Sequence, residues 1–436
     1  LAEHTSGHHW TNWGRSAESH PVRIAHPTST DDVAAIVREA VAAGLTVKAI
    51  GASHSFTAIG ATDGVLVRLD RMTSIVSSDT ATGRVRVQAG ISLHDLNPQL
   101  NARGLALPNL GDVDPQSVAG AISTGTHGTG GRLFGISAAV VAVQLVTATG
   151  EVLEIDEQHP WFGAARVTLG ALGIVTEVTL QCVPAFLLHA REEPMALPAV
   201  LERLDELVDD NDHFEFYWFP HTTKTLTKRN NRVAEGTVRR PLGRFRHWLD
   251  DELLSNTAFE GLNRVVARQR SWIPRLNGVA ASLLSPREYV DDSFEVFVSS
   301  RTVRFRESEF AMPRAALPHV LGELGAWFGA GHENISFPIE VRFTAADDVW
   351  MSTGHERDNC YVAVHQYWRS DYRDYFAAAQ DIFTAHEGRP HWGKLHTLDA
   401  DYFAGRYARF GDFVAVRNEL DPGRTFSNPY LDRVLG

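Results

Sequence analysis

The residues best suited to chemistry lie late in the chain. In Ile339-Glu340-Val341-Arg342-Phe343-Thr344, strand alternation puts Glu340, Arg342 and Thr344 on one face and the apolar side chains on the other. In Tyr361-Val362-Ala363-Val364-His365-Gln366-Tyr367, His365 and Tyr367 share a face in the same way, and Arg389-Pro390-His391-Trp392-Gly393-Lys394 follows. A carboxylate, a guanidinium, an imidazole and an ammonium on neighbouring elements can position hydroxyl groups and remove a proton. The same residues can also form a salt-bridge ladder on a solvent-facing sheet. Taken alone, they leave the two readings level.

Two glycine-rich stretches precede them. Ile50-Gly51-Ala52-Ser53-His54-Ser55-Phe56 follows directly on a strand. Its small residues allow close backbone approach to a ligand, and its consecutive N–H groups can cradle a diphosphate. His54 sits inside that turn, where a lone histidine is more often a solvated or capping residue. Gly120-Ala121-Ile122-Ser123-Thr124-Gly125-Thr126-His127-Gly128-Thr129-Gly130-Gly131 lacks the Lys-Ser/Thr ending of a nucleoside-triphosphate loop. It also lacks Gly-x-Gly-x-x-Gly spacing after a strand. Two such runs about 70 residues apart, among alternating strands and helices, point to a large phosphate-bearing cofactor.

The elements that must position these groups are legible in outline. Thr28 to Asp32 is a helix start; Val33, Ile36, Val37, Ala40 and Val41 recur at helical spacing, and Gly44 ends the run. Strands are expected at Val47 to Ile50, Val65 to Leu69, Val85 to Gln88 and Val175 to Leu180, with a hairpin from Ala142 to Ile155 turning at Thr149-Gly150. A second region begins near Pro184. It holds a predicted helix over Ala196 to Val208, an aromatic-rich strand over His213 to Phe219, and strands at Phe294 to Val298, Ile339 to Thr344 and Tyr361 to Tyr367. The basic stretch Lys228 to Arg246, with Arg232, Arg239, Arg240, Arg244 and Arg246, reads as a solvated loop in preference to a partner or membrane contact.

Composition bounds the class. The chain has 436 residues, 44% hydrophobic and 22% charged, enough for two domains or for a large catalytic fold with a cap. Its formal charge of −12 speaks against an electrostatic grip on nucleic acid or anionic lipid. No apolar run reaches the roughly 18 residues of a membrane span, and no secretory signal opens the chain. The start, Leu1 followed by His4, His8 and His9, reads as processed or appended as readily as a metal site. Two distant cysteines and no export signal point to the cytoplasm. A metal hydrolase is excluded by the absence of His-Glu-x-x-His or a comparable cluster, so no metal is expected.

In order along the chain stand the Gly51-to-Phe56 turn, Asn109-Leu110-Gly111-Asp112-Val113-Asp114-Pro115-Gln116-Ser117-Val118-Ala119-Gly120, Thr124-Gly125-Thr126-His127-Gly128 and His391-Trp392-Gly393-Lys394. Together they resemble the sugar-1,4-lactone oxidases and dehydrogenases (gulono-, galactono- and arabinono-lactone type) of the vanillyl-alcohol-oxidase class of FAD proteins. The resemblance runs from about Asn12 to the C-terminus. The histidine turn combined with His-Trp-Gly-Lys is specific; either glycine run alone is not.

The resemblance implies an α+β fold. An FAD domain of two subdomains would span residues 12–185, a cap with an antiparallel sheet and flanking helices residues 186–385, and residues 386–436 would return to the FAD domain. It places Ile50, Gly51, Ala52, Ser53, His54, Ser55, Asp112, Ser117, Gly120, Thr124, Gly125, Thr126, His127, Ile174 and Lys394 around FAD. His54 stands where the family's covalent bond to the flavin 8α-methyl carbon is made. Thr124 to Gly131 contains no cysteine for a second link. Glu340, Arg342, His365 and Lys394 resemble the catalytic groups, and Asp112, Glu340, Arg342 and Tyr367 the substrate contacts. Glu340, His365 and a water are all left open as the proton acceptor.

The implied reaction is oxidation of the C2 hydroxyl of an aldono-1,4-lactone, by hydride transfer to flavin, with oxygen or another molecule as electron acceptor. Asp112 replaces the serine of alditol oxidases, and Tyr367 their smaller threonine, which favours the lactone group. An alditol or free-sugar oxidase is the alternative within the class. A non-enzymatic flavin-binding module is opposed by the presence of Glu340, Arg342, His365 and Lys394.

Overall fold

The computed structural model describes residues 8–243, 269–298 and 303–436. Helix α1 (Thr30–Ala42) starts at Ser29, whose side chain accepts from the Asp32 N–H while Asp32 reaches back to the Ser29 N–H. This reciprocal cap satisfies two donors that a helix start leaves open. Gly44 then takes a positive φ of 66° and ends the element. Helix α1 lies beside a parallel sheet of β1 (Arg23–Ala25), β2 (Val47–Ile50) and β3 (Val65–Arg68), in the order β1-β3-β2.

A second, antiparallel sheet joins β4 (Ile75–Asp79), β5 (Arg84–Gln88), β6 (Val140–Val146), β7 (Val152–Asp156) and β8 (Ile174–Gln181), in the order β7-β6-β8-β5-β4. Helices α2 (Leu93–Asn101) and α3 (Val118–Ser123) pack into the same core. That core also takes in Trp392, Phe403, Tyr407, Phe413 and Leu431 from the end of the chain.

Among the described residues, the third sheet has eight strands: β9 (Leu187–Ala196), β10 (His213–Trp218), β11 (Lys224–Arg232), β12 (Arg287–Asp292), β13 (Phe305–Pro313), β14 (Ile339–Thr344), β15 (Asn359–Tyr367) and β16 (Arg389–Pro390). Their order is β12-β9-β11-β10-β14-β15-β13-β16. One face is apolar. Phe214, Phe216, Phe310, Met312, Val341, Phe343 and Val362 pack there against α4 (Leu197–Glu202), α5 (Leu204–Asp209), α7 (Leu317–Gly329) and α8 (Arg373–Ala385). Each such side chain contributes roughly 1.5–3 kcal/mol on burial, so the register of β14 and β15 is set from behind. The opposite face must then carry Glu340, Arg342 and His365.

Four sequence expectations differ from the structure. The helix expected over 196–208 is two helices, α4 and α5, because Arg203 (φ −107°, ψ 19°) leaves helical geometry. The strand expected over Phe294 to Val298 is helix α6 (Ser293–Phe297). Phe294 and Phe297, three apart, lean on the first core while Val296 packs with Leu188, a division among helical faces that a strand cannot make. The basic stretch is not a loop throughout, since Lys228, Arg229 and Arg232 lie on β11 and Arg239 ion-pairs with Asp291. Arg244 and Arg246 lie outside the described residues. Strand β13, which lies between β15 and β16 in the sheet, was not expected at all.

Candidate active site

Among the described residues, three neighbouring hollows share walls, and Gln116 lines all of them. The first, of about 920 Å³, runs along the His54 turn and is lined by Ile50, Gly51, Ala52, Ser53, His54, Ser55, Ser117, Gly120, Thr124 and Ile174 among others. The second, of about 1170 Å³, shares His54 and adds Trp13, His94, Asp114, Gln116, Phe305, Glu307 and Lys394. The third, of about 510 Å³, shares Glu307 and Lys394 and is closed by Asp112, His127, Glu309, Glu340, Arg342, His365 and His391.

The first hollow fits a diphosphate-bearing ligand. Among the described residues, the N–H groups of Gly51 to Ser55 find no protein acceptor, whereas the next, of Phe56, donates to the Gly393 carbonyl. A Cβ on Gly51 would stand 2.0 Å from Ser117 Oγ, so only glycine lets the turn lie this close to the start of α3. Ser53 takes a positive φ of 59°, which bends successive N–H groups to one side. Ser117 caps α3 by accepting from the Gly120 N–H. Burial, and then Lys394, lowers the His54 pKa to about 4, which keeps the ring neutral at pH 7, and Trp13 stacks on it at 5.6 Å.

The late motif is locked to this turn. The Trp392 indole N–H donates to Met351, its carbonyl accepts from Thr57 and Tyr430, and its ring is fully buried. Lys394 is thereby delivered between the second and third hollows. Burial lowers its proton affinity, but Glu307 (2.5 Å) and Glu309 outweigh that and raise the pKa.

The third hollow is a chamber of buried charge. Arg342 donates through Nε to Glu215 at 3.0 Å, and its Nη2 ion-pairs with Glu340 and, at 3.3 Å, with Asp112. Burial opposes the guanidinium charge, and these three carboxylates overcome it. Glu215 also meets Lys228 at 3.3 Å, and Glu192 on β9 meets Arg287 on β12 at 2.7 Å. Glu192 and Lys228 are directly paired across β9 and β11. Signs therefore alternate over five strands, from Arg287 through Glu192, Lys228 and Glu215 to Arg342. His127, Glu309 and His391 bring candidate ligand atoms within 4.8 Å of one another, the spacing of a metal site. Hydrogen bonding at His391 speaks against an ion: its Nδ1 accepts from the Gly393 N–H, which puts the hydrogen of the neutral ring on Nε2. His127 Nδ1 donates to the Gly128 carbonyl.

The structure thus brings Glu340, Arg342, His365, Lys394 and Asp112 onto one chamber. It does not bring Tyr367 there. Tyr367 lies in a cluster with Phe56, Val303, Phe305 and Phe337. Of the residues expected around a cofactor, Asp112, Thr126, His127 and Lys394 line the third hollow rather than the first. Gly125 lines none of the three and serves the turn through its φ of 72°. Sequence reasoning missed Glu215, Glu307 and Glu309. Glu215 was findable, since it alternates with Phe214 and Phe216 in a strand that was recognised.

Residues 178–434 match the family model for D-arabinono-1,4-lactone oxidase, and residues 21–156 match the FAD binding domain. The chain is 42% identical to an L-gulono-1,4-lactone dehydrogenase of Mycobacterium tuberculosis, over 98% of this chain and 99% of that one. It is 34% identical to an L-gulonolactone oxidase of Bos taurus, over 97% of each. Its fold matches a solvent-stable cholesterol oxidase with a TM-score of 0.82 at 18% identity, covering 98% of this chain and 97% of that one. The glycine-rich turn, the chamber of buried charge beside it and these matches together place the chain in the sugar-1,4-lactone oxidase and dehydrogenase family of FAD flavoproteins.

Proposed function

We propose that the protein oxidises the C2 hydroxyl of an aldono-1,4-lactone, with FAD bonded to His54. The observation that carries the reading is the convergence of Glu340, Arg342, His365, Lys394 and Asp112 on one buried chamber that shares walls with the hollow beside His54. Ile50 to Ser55, Ser117, Gly120, Thr124 and Ile174 would hold the cofactor. FAD, when bound, supplies a hydride acceptor. Arg342 and Glu340 hold substrate hydroxyls, and Asp112 shapes the pocket for a ring-closed substrate in place of an open polyol. Lys394, kept as an ammonium by Glu307 and Glu309, stabilises negative charge as it develops. The neutral His54 ring suits a nitrogen that must form a carbon bond.

The reading extends to organisation. We divide the chain into an FAD domain (12–185), a cap (186–385) and a returning segment (386–436). Support comes from one core that unites N-terminal residues with Trp392 to Leu435 and from a second whose buried members run from Val200 to Phe383. A cytoplasmic setting accords with two free, buried cysteines. Among the described residues, no helix is long and apolar enough to cross a membrane.

Two measurements test this. Lactones and alditols are offered with oxygen and with an artificial dye as acceptors; turnover of a 1,4-lactone with xylitol and sorbitol nearly inert is expected, and the reverse pattern would promote the alditol reading. The protein should also stay yellow after acid precipitation, while His54→Ala should release its colour to the supernatant. Colour that washes out of the denatured wild type would overturn the covalent assignment.

A further inference from the structure

On β13, Glu307 and Glu309 are two residues apart, so both carboxylates reach the chamber. Glu309 faces His127, with Oε1 3.4 Å from Nε2. Glu307 touches two groups that the proposed reaction uses. Its Oε1 lies 3.6 Å from His365 Nε2, and its Oε2 lies 2.5 Å from Lys394 Nζ. Burial favours its neutral form, yet the Lys394 ammonium beside it holds its pKa well below the usual carboxylate range. Glu307 is therefore a fixed negative charge between an imidazole and an ammonium.

His365 is set from its other side. Its Nδ1 lies 3.3 Å from the carbonyl oxygen of Pro338, which can only accept. The hydrogen of the neutral ring belongs on Nδ1, and Nε2 presents a lone pair. His365 is buried and lines the chamber. Glu340, the rival acceptor, is ion-paired to Arg342, and an adjacent cation disfavours protonation of a carboxylate.

We infer that His365 Nε2 takes the substrate hydroxyl proton, and that Glu307 is the positioning residue that holds the resulting imidazolium and ties it to Lys394. The inference rests on the oxidoreductase reading above and identifies the base within it. The O–H bond breaks and its proton forms the new Nε2–H bond. The electron pair left on oxygen becomes the second bond of the C2 carbonyl, and the C2–H pair leaves as hydride to the flavin. Glu307 stays ionised throughout and gains no proton.

Two measurements on the intact holoenzyme test this. In ¹⁵N-histidine-labelled protein, with His365→Gln used to assign the ring, His365 should carry hydrogen on Nδ1 and none on Nε2. A hydrogen on Nε2 of the neutral ring overturns the inference whatever the substrate is. In anaerobic stopped-flow reduction, Glu307→Gln should lower the limiting rate at least about tenfold while the substrate dissociation constant changes little. Glu307→Asp should recover part of the rate. Added to His365→Gln, the Glu307→Gln change should cost much less than it does alone, because one residue acts through the other. A wild-type rate in Glu307→Gln, or costs that multiply in the double variant, overturns the inference and leaves the lactone reading intact. Should Glu307→Gln not fold, a wild-type rate in Glu307→Asp overturns it equally. If only an alditol reduces the wild type, the lactone reading fails and the same variants are run with that alditol.

Discussion

Lys48 and Lys394 stand in the walls of different hollows, and their surroundings push them in opposite directions. Lys48, on β2, is buried and donates to the carbonyls of Gly170 (2.8 Å) and Phe426 (3.0 Å). Burial, reinforced by Arg417 and opposed by Asp421, lowers its pKa to about 7. Lys394 is also desolvated, but Glu307 and Glu309 raise its pKa. Peptide dipoles hold an amine in place without keeping it charged; carboxylates keep it charged. The first hollow thus has a lysine as a strut joining β2, the Gly170 turn and the C-terminal segment. The chamber uses one as a permanent cation.

The largest effect is expected where charges are most interdependent. Arg342→Leu leaves Glu340, Asp112 and Glu215 without their shared cation, and breaking a buried pair from one side costs about 3–5 kcal/mol. Denaturant melts should show that loss, and substrate binding should weaken alongside slower reduction. Unchanged stability and affinity would mean that the three carboxylates are held by other groups.

Lys394→Met comes next. Loss of one preorganised electrostatic group slows catalysis about 10²-fold. Anaerobic reduction at saturating substrate is the measurement, because it does not depend on the later electron acceptor. A wild-type rate would show that the chamber is a structural salt-bridge ladder and that the reaction takes place elsewhere.

The contrast also marks what was legible in the sequence. Lys394 was readable because it ends a specific motif, and Glu340, Arg342 and His365 because period-2 alternation sorts them from their apolar neighbours. Glu307 and Glu309 were not. In Phe305-Arg306-Glu307-Ser308-Glu309-Phe310 the chamber face carries Phe305 beside two acids while Arg306 lies on the other, so the pattern gives no clean alternation. Their burial depends on His127, His365 and Lys394, which arrive from three distant segments. Lys48 was invisible for a related reason. Within Val47-Lys48-Ala49-Ile50 nothing marks it as buried, and it is covered by the Gly170 turn together with the return of Phe426 and Asp421.

The smallest effect separates the two lysines most cleanly. Lys48→Met leaves the carbonyls of Gly170 and Phe426 without a donor, at a cost of about 1–3 kcal/mol, and should leave the reduction rate near wild type because the side chain touches no group of the chamber. Its pH dependence carries the sign. The folded pKa near 7 lies below the unfolded value of 10.5, so between them the unfolded chain holds a proton that the folded chain has released. Stability conferred by wild-type Lys48 over methionine must therefore rise with pH across that window, by no more than about 1.4 kcal/mol per unit, and be flat below it. Lys394 behaves oppositely. With its folded pKa above 10.5, its contribution is fully present below that value and is lost only as pH rises beyond it. Urea melts of wild type, Lys48→Met and Lys394→Met from about pH 7 to about pH 10 should show the first gap widening and the second constant. A constant gap for Lys48→Met would show that Asp421 keeps Lys48 charged, and that both lysines are held as cations after all.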